Sequence, residues 1–157
     1  MTHGETEQRL ESATGPEPLL MYLVKQLELA VRSRLDEIIR PSGLTSLQYT
    51  ALTVLERHPD MSAAQLARNS FVTSQSMADM ITALETRGLI ERHRDSLDRR
   101  RLVVALTRAG RELLDRYRSE VADMEAQLTE GLSKPQVAAF RQALRTCHVN
   151  VSGRNTY

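Results

Sequence analysis

Apolar residues recur every three or four positions along most of the chain, which is the period of an amphipathic helix. The first such stripe runs from Pro18 to Arg40 and predicts a long helix that ends at Pro41 and Gly43. Capping-box pairs predict three further helix starts, because in each pair one side chain can bind the backbone N–H of the other residue. These pairs are Thr45 with Gln48, Ser62 with Gln65, and Ser133 with Gln136.

Two more helices begin at threonines that can act as N-caps. Thr73 precedes a helix that ends at Gly88, a residue suited to the positive φ of a helix C-terminus. Thr107 precedes a long helix that continues to Gly131. The last helix, after Ser133, has an apolar stripe of Val137, Phe140, Leu144, Cys147 and Val151.

The helical period is lost between Gly88 and Thr107. Leu89 to Arg94 and Leu102 to Leu106 are predicted to pair as a short hairpin around the polar turn Asp95 to Asp98. Two short helices joined by a turn and followed by such a hairpin form a winged helix-turn-helix. The pattern therefore predicts a mainly α fold with a small β wing of two to three strands.

Composition agrees with a globular protein and narrows its location. The chain has 157 residues, 41% of them hydrophobic and 26% charged, which are ordinary values for a soluble domain. No apolar run approaches the roughly 20 residues of a membrane span, so no membrane partner is expected. The polar and acidic N-terminus does not resemble a signal peptide, and the single cysteine fits a reducing compartment. We therefore expect a cytoplasmic protein.

The net charge is only +1, but it is unevenly distributed along the chain. The stretch from Ser62 to Arg111 contains nine arginines and five acidic residues, so the predicted winged helix-turn-helix is basic. A basic module in an otherwise slightly acidic chain is typical of a protein with one face that meets phosphate. A general preference for arginine is the alternative explanation, and the excess alone does not decide between them.

The second helix of the motif has polar side chains at its N-terminal end, which is where a recognition helix reaches base edges. Gln75 can bond an adenine through both amide atoms, and Asp79 can accept a hydrogen bond from a cytosine amine. Ser74 and Ser76 suit bases or phosphates, and Thr73 completes the set. The alternative interpretation is an ordinary capped and solvated helix.

The predicted wing is rich in arginine. It carries Arg92, Arg94, Arg99, Arg100 and Arg101, with Asp95 and Asp98 between them. An arginine on a hairpin tip can enter the narrow minor groove, where the negative potential is enhanced. A neighbouring carboxylate can hold the guanidinium in place and lower the cost of ordering it. Because this arginine-rich hairpin follows a helix-turn-helix directly, the pattern favours a DNA-binding wing over a merely solvated surface.

Several motifs occur in a characteristic order and spacing. The most specific is Asp98-Arg99-Arg100 followed by Leu106-Thr107-Arg108-Ala109-Gly110, and the others are Leu44 to Tyr49, Gln65 to Ala67 and Leu84 to Arg92. Together they resemble the MarR family (multiple antibiotic resistance regulators) from about Leu19 to the end of the chain. The resemblance implies a repressor that binds palindromic double-stranded DNA as a homodimer, with half-sites about 34–36 Å apart.

On this resemblance the chain divides into a flexible arm over 1–17, a winged helix-turn-helix over 44–111, and helical dimerisation regions over 18–43 and 112–157. By matching positions, Arg100 resembles a minor-groove arginine, Asp98 the carboxylate that orients it, and Arg99 a backbone-binding or intramolecular partner. The full predicted set of DNA-contacting residues is Ser62, Thr73, Ser74, Gln75, Ser76, Asp79, Met80, Arg94, Asp98, Arg99 and Arg100.

The chain departs from the family pattern at two places. Ser70-Phe71 stands where many relatives have a glycine in the turn, which predicts a turn without positive φ and an aromatic ring packed inward. Ser74 and Asp79 stand where basic residues are common, so the helix should attract phosphate less and the wing should contribute more of the affinity.

The resemblance also implies a small aromatic or lipophilic effector that releases the DNA. Candidate lining residues are Met21, Tyr22, Lys25, Arg32, Tyr49, His58 and Met61, an apolar set with a few polar groups. Each of these residues could equally belong to the core or the surface. Cys147, on the last apolar stripe, is expected to be a small buried hydrophobe rather than a redox sensor.

Other functional classes lack support in the sequence. The four histidines are far apart and no Cys-x-x-Cys occurs, so no metal is expected. The chain has no glycine-rich phosphate loop, nucleophile elbow or paired acid–base signature, which argues against an enzyme and against a cofactor. The remaining alternative to a DNA-binding regulator is a winged-helix module that contacts other proteins and does not bind DNA.

Overall fold

The computed structural model of the chain describes residues 16–70 and 72–152. Two compact units are present, one up to Ser33 and the other from Arg34 onward. The predicted arm over 1–17 lies outside the described residues except for its last two positions, and so does Phe71 with its predicted inward packing. No helix in the described ranges is long and apolar enough to cross a bilayer.

Six α-helices and one two-stranded sheet are present in residues 16–70 and 72–152, as the apolar pattern predicts. In chain order the elements are α1 (Leu20–Ile39), a short 3-10 turn (Arg40–Ser42), α2 (Ser46–Arg57), α3 (Ala63–Asn69), α4 (Ser74–Thr86), β1 (Ile90–Arg94), β2 (Leu102–Leu106), α5 (Arg108–Leu128) and α6 (Lys134–Ser152).

The predicted helix starts are confirmed. Thr45 and Ser62 form complete capping boxes with Gln48 and Gln65, and Thr73 caps α4 through the N–H of Ser76. The N–H of Ser133 donates to Oε1 of Gln136 at 2.8 Å, and the N–H of Gln136 donates back to the Ser133 hydroxyl at 3.4 Å. Gly43, Gly88 and Gly131 all have positive φ, as expected for residues that end helical segments.

The core lies in the unit that begins at Arg34, where α2, α3, α4 and the wing meet. Its fully buried members include Leu52 from α2, Leu66 from α3, Ile81 and Leu84 from α4, and Leu114 from α5. Arg118 of α5 forms an ion pair with Glu56 of α2 at 2.6 Å, and the carboxylate of Asp36 accepts the N–H of Ser46 at 2.8 Å. These contacts join α2 to α5 and to the C-terminal end of α1.

Ser70, where the turn between α3 and α4 begins, is buried. Ser70 caps the C-terminus of α3 with φ −103°, which agrees with the prediction of negative φ for that residue. Its side chain is 1% exposed, and its hydroxyl has no hydrogen-bond partner among the described residues.

The wing is an antiparallel hairpin whose register pairs Ile90 with Leu106 and Arg94 with Leu102. Val103 and Val104 are buried, whereas β1 is exposed after Ile90. An isolated bridge pairs Met61 with Val104 beside this two-stranded sheet, with the N–H of Val104 donating to the Met61 carbonyl at 2.8 Å. The wing is therefore joined to the loop that precedes α3.

The two ends of the wing meet at one junction. The hydroxyl of Thr107 donates to the carbonyl of Gly88 at 2.6 Å and accepts the N–H of Gly110 at 3.1 Å, while the Thr107 N–H donates to the carbonyl of Leu89 at 3.1 Å. A Cβ on Gly110 would lie 2.2 Å from the Leu89 carbonyl oxygen and 3.1 Å from a methyl group of Leu106. The glycine of the Leu-Thr-x-x-Gly motif is therefore required by close packing.

The far ends of the last two helices are barely covered. The buried residues of α5 stop at Tyr117, and no residue of α6 is buried. Leu128, Leu132 and Leu144 are all more than 40% exposed. Cys147 is also exposed in the single chain, so the expectation of a buried thiol is wrong for the isolated subunit.

We predict that Gly110→Ala destabilises the fold by about 2 kcal/mol, because the new methyl group must displace backbone atoms at Leu89. Gly88→Ala is the matched control, since it strains a residue at φ +69° but meets no atom within 4 Å, and should cost about 1 kcal/mol. Urea unfolding measures both free energies of unfolding. Equal costs would show that the junction tolerates the methyl group.

Candidate nucleic-acid interface

The exposed face of α4 is set by its apolar stripe. Met77, Met80, Ile81 and Leu84 are buried, so the line directly opposite them on a helix of 3.6 residues per turn points to solvent. That line consists of Gln75, Asp79, Thr82 and Thr86, with Ser74 and Ser76 on its flanks. The side-chain amide of Gln75 donates to Oδ1 of Asp79 at 3.4 Å, as expected for neighbours four residues apart.

Three predicted contact residues have other structural roles. Met80 is 9% exposed and lies in the core, so its inclusion among the DNA-contacting residues is wrong: it belongs to the apolar stripe of α4. The hydroxyl of Thr73 accepts the N–H of Ser76 at 3.1 Å, and that of half-buried Ser62 accepts the N–H of Gln65 at 3.2 Å. Thr73 and Ser62 therefore serve first as helix caps.

Thr82 is a surface residue that sequence reasoning missed. It lies three positions after Asp79 on the exposed line, and this spacing alone could have identified it. Its hydroxyl donates to the carbonyl of Ala78 at 3.0 Å. A groove facing this line would therefore meet a glutamine, a carboxylate and threonine side chains.

The helix α4 contains no basic residue, and its charged side chains are Asp79 and Glu85. Glu85 forms an ion pair with Arg92 of β1, with 2.6 Å between carboxylate and guanidinium. The hydrogen bond from Arg92 holds the pKa of the Glu85 carboxyl below its ordinary value. Positive charge near this helix must therefore come from other elements.

The arginines of the wing fall into two groups. Arg92 is paired with Glu85, and Arg101 contacts the carboxylate of Asp95 at 3.7 Å and the side-chain oxygen of Gln65. The Arg94 guanidinium donates to the carbonyl of Arg100 at 3.3 Å. These three arginines brace the wing against itself, against α3 and against α4.

Arg99 and Arg100 form the second group. Both are exposed, and neither guanidinium has a hydrogen bond or ion pair within the part of the chain that the structure describes. The resemblance implied that Asp98 orients the Arg100 guanidinium. The carboxylate of Asp98 instead accepts the backbone N–H of Arg100 at 3.0 Å and so orders the turn. The sequence could not distinguish these two groups, because Gln65 lies 36 positions from Arg101.

The predicted effector residues are divided between the two units. In the unit that ends at Ser33, Met21, Tyr22 and Lys25 line a mostly apolar cavity of about 520 Å³ with Pro18 and Leu19, and Arg32 pairs with Glu28. In the other unit, His58 and Met61 line a cavity of about 290 Å³ that also includes Arg101. Tyr49 is buried, and burial raises the pKa of its hydroxyl.

Metal chemistry has no candidate centre in the described ranges. No group of three or more His, Cys, Asp or Glu side chains there could hold a metal ion. His93 forms a contact of 3.1 Å with Asp60, which joins β1 to the loop before α3.

The chain is similar to known regulators. The sequence model of the MarR family matches residues 42–101. An HTH-type transcriptional repressor of Mycobacterium tuberculosis is 31% identical over 80% of this chain and 90% of its own. The homoprotocatechuate degradative operon repressor of Escherichia coli is 28% identical over 70% of this chain and 77% of its own. The repressor CouR bound to a 23-mer DNA duplex has a TM-score of 0.72 and 32% identity, over 82% of this chain and 92% of that structure.

Proposed function

The chain belongs to the MarR family of transcriptional regulators, and we propose that it is a dimeric repressor that binds palindromic double-stranded DNA in the cytoplasm without catalysing a reaction. The observation that carries this proposal is the pair of exposed guanidinium groups of Arg99 and Arg100, which have no partner among the described residues and lie on a braced hairpin directly after α4. CouR, a relative of similar fold, is a repressor bound to a DNA duplex.

Base recognition would fall to α4 and electrostatic attraction to the wing. Gln75 and Asp79 offer an amide and a carboxylate, which suit adenine and the amines of adenine or cytosine in the major groove. Asp79 also repels phosphate, so binding must gain its affinity elsewhere. Arg100 would enter the minor groove, Arg99 would bind the phosphate backbone, and Arg94 would support the tip from which both project.

Dimerisation would cover the apolar surface that the single chain leaves open. The stripe of α6 has no buried residue, and the second half of α5 is equally uncovered. Exposed apolar stripes of this length are typical of interfaces, because a monomer rarely leaves so large a patch in water. A two-fold axis between such helices would set the two copies of α4 against successive turns of the major groove.

Release would be caused by a small aromatic or lipophilic effector. A relative, the E. coli protein, represses an operon for degradation of the aromatic acid homoprotocatechuate. The cavity of His58 and Met61 includes Arg101, which offers a cation for a carboxylate. An acid held there would compete with Asp95 and Gln65 for Arg101 and would loosen the wing.

We predict that Arg100→Ala weakens binding to the preferred duplex by about 1–3 kcal/mol, because one minor-groove contact is lost. Arg116→Ala removes the same charge from an exposed position on α5 and should leave the affinity nearly unchanged. Fluorescence anisotropy over a salt series measures both, using a duplex selected from a random library. A protein-contact module would select no duplex and show almost no salt dependence.

Leu144→Glu should convert the dimer to a monomer, because it places a charge in the proposed α6 interface. The side chain is 43% exposed in the single chain, so the fold of each subunit should survive. Gln142→Glu adds the same charge to an exposed position two residues away and is the control. Sedimentation velocity and circular dichroism measure assembly and fold. A folded Leu144→Glu dimer would contradict this interface.

An aromatic acid should release the protein from its duplex at concentrations at which an aliphatic acid of equal charge does not. The probe is 3,4-dihydroxyphenylacetate, with acetate as the control, in the same anisotropy titration. His58→Ala should weaken this response if the cavity beside Arg101 is the site, and Tyr22→Ala if the cavity of α1 is. A response unchanged in both variants would exclude both cavities.

A further inference from the structure

The apolar side chain of Leu97, at the tip of the wing, is almost fully exposed to solvent. Its exposed fraction is 96%, higher than that of any other large hydrophobic residue in the described ranges. A scattered exposed leucine is common on protein surfaces and requires no explanation by itself. The backbone around Leu97, however, is held by hydrogen bonds within the turn.

Hydrogen bonds fix the backbone on both sides of Leu97. The carboxylate of Asp95 accepts the Leu97 N–H at 2.9 Å, and the Asp95 N–H donates to the carbonyl of Arg101 at 2.9 Å. On the other side, Asp98 accepts the N–H of Arg100 through its carboxylate and that of Arg101 through its carbonyl. The side chain of Leu97 is therefore presented outward from a preorganised turn, so little order remains to be imposed on binding.

The positive charge around Leu97 indicates the kind of partner that this side chain contacts. Arg99 and Arg100 follow within three residues, and both guanidinium groups are free of partners within the described part of the chain. An apolar tip next to free cations fits a polyanion with an apolar interior, and duplex DNA has stacked bases between its charged strands. A leucine would gain nothing from contact with phosphates alone.

We propose that Leu97 is a minor-groove wedge, which inserts between two base pairs and partly unstacks them while Arg99 holds the backbone and Arg100 occupies the minor groove beside it. Leucine is among the apolar residues that other minor-groove proteins use in this way, and the insertion kinks the duplex toward the major groove. Flexible pyrimidine–purine steps deform most easily, so Leu97 would add sequence preference at a step that no hydrogen bond reads. This inference rests on the proposed function, since it requires that the wing meets DNA.

The test uses the full-length protein and a duplex selected with it from a random-sequence library. Hydroxyl-radical protection locates the wing, and 2-aminopurine placed at each protected step reports unstacking by its increased fluorescence. Leu97→Ser should weaken binding about tenfold, equal to about 1.4 kcal/mol, and abolish the fluorescence increase. Leu97→Met should keep most of both signals, and Ser96→Ala, the neighbouring control on the same turn, should keep all of them.

Two outcomes would overturn the wedge while leaving the proposed function intact. Leu97→Ser could bind as tightly as the wild type while Arg100→Ala binds more weakly, which would place Leu97 outside the duplex. Alternatively, Leu97→Ser could bind weakly and still increase the 2-aminopurine fluorescence, which would show that another group unstacks the bases. Failure of the wild-type protein to enrich any duplex would instead refute the proposed function, and the wedge with it.

Discussion

The approach of Gly110 to the carbonyl of Leu89 is the constraint on which the rest of the structure depends. The end of α4, both ends of the wing and the start of α5 meet here. The hydroxyl of Thr107 bonds to the Gly88 carbonyl on one side and to the Gly110 N–H on the other. No side chain larger than hydrogen fits at residue 110 without moving the backbone of Leu89. Because three elements share one junction, the orientation of α4, the wing and α5 is set together.

Electrostatic contacts extend this rigidity outward from the junction. Arg92 joins β1 to α4 through Glu85, and Arg101 joins the wing to the first turn of α3 through Gln65. Exposed ion pairs of this kind add little to global stability, since solvent screens them and the side chains lose freedom. Their role is geometric: they hold the hairpin so that Arg99 and Arg100 project from a fixed base.

Most of the fold could be predicted because helix caps and hydrophobic periods are local features of the sequence. The arrangement of the candidate DNA-binding site could be predicted less well because it depends on contacts between distant residues. Capping boxes, glycines at helix ends and the change of period at Leu89 depend on neighbours within four residues, so one sequence contains them. The bridge from Met61 to Val104 and the pairing of Arg101 with Gln65 join distant residues and could not be inferred. Met80 lies among polar residues in the sequence, but its helical spacing from Met77 and Leu84 puts it on the buried stripe of α4.

The absence of basic residues from α4 changes how sequence preference could arise in this protein. A recognition helix that bears Asp79 and Glu85 lowers its own attraction for any duplex, correct or incorrect. Specific and nonspecific DNA present the same phosphates, so the penalty is shared by both, whereas a hydrogen bond to a matching base is gained only at the correct site. If, as proposed, affinity comes from the wing and selectivity from α4, the two would be separable properties on elements that the junction at Gly110 holds in fixed relation.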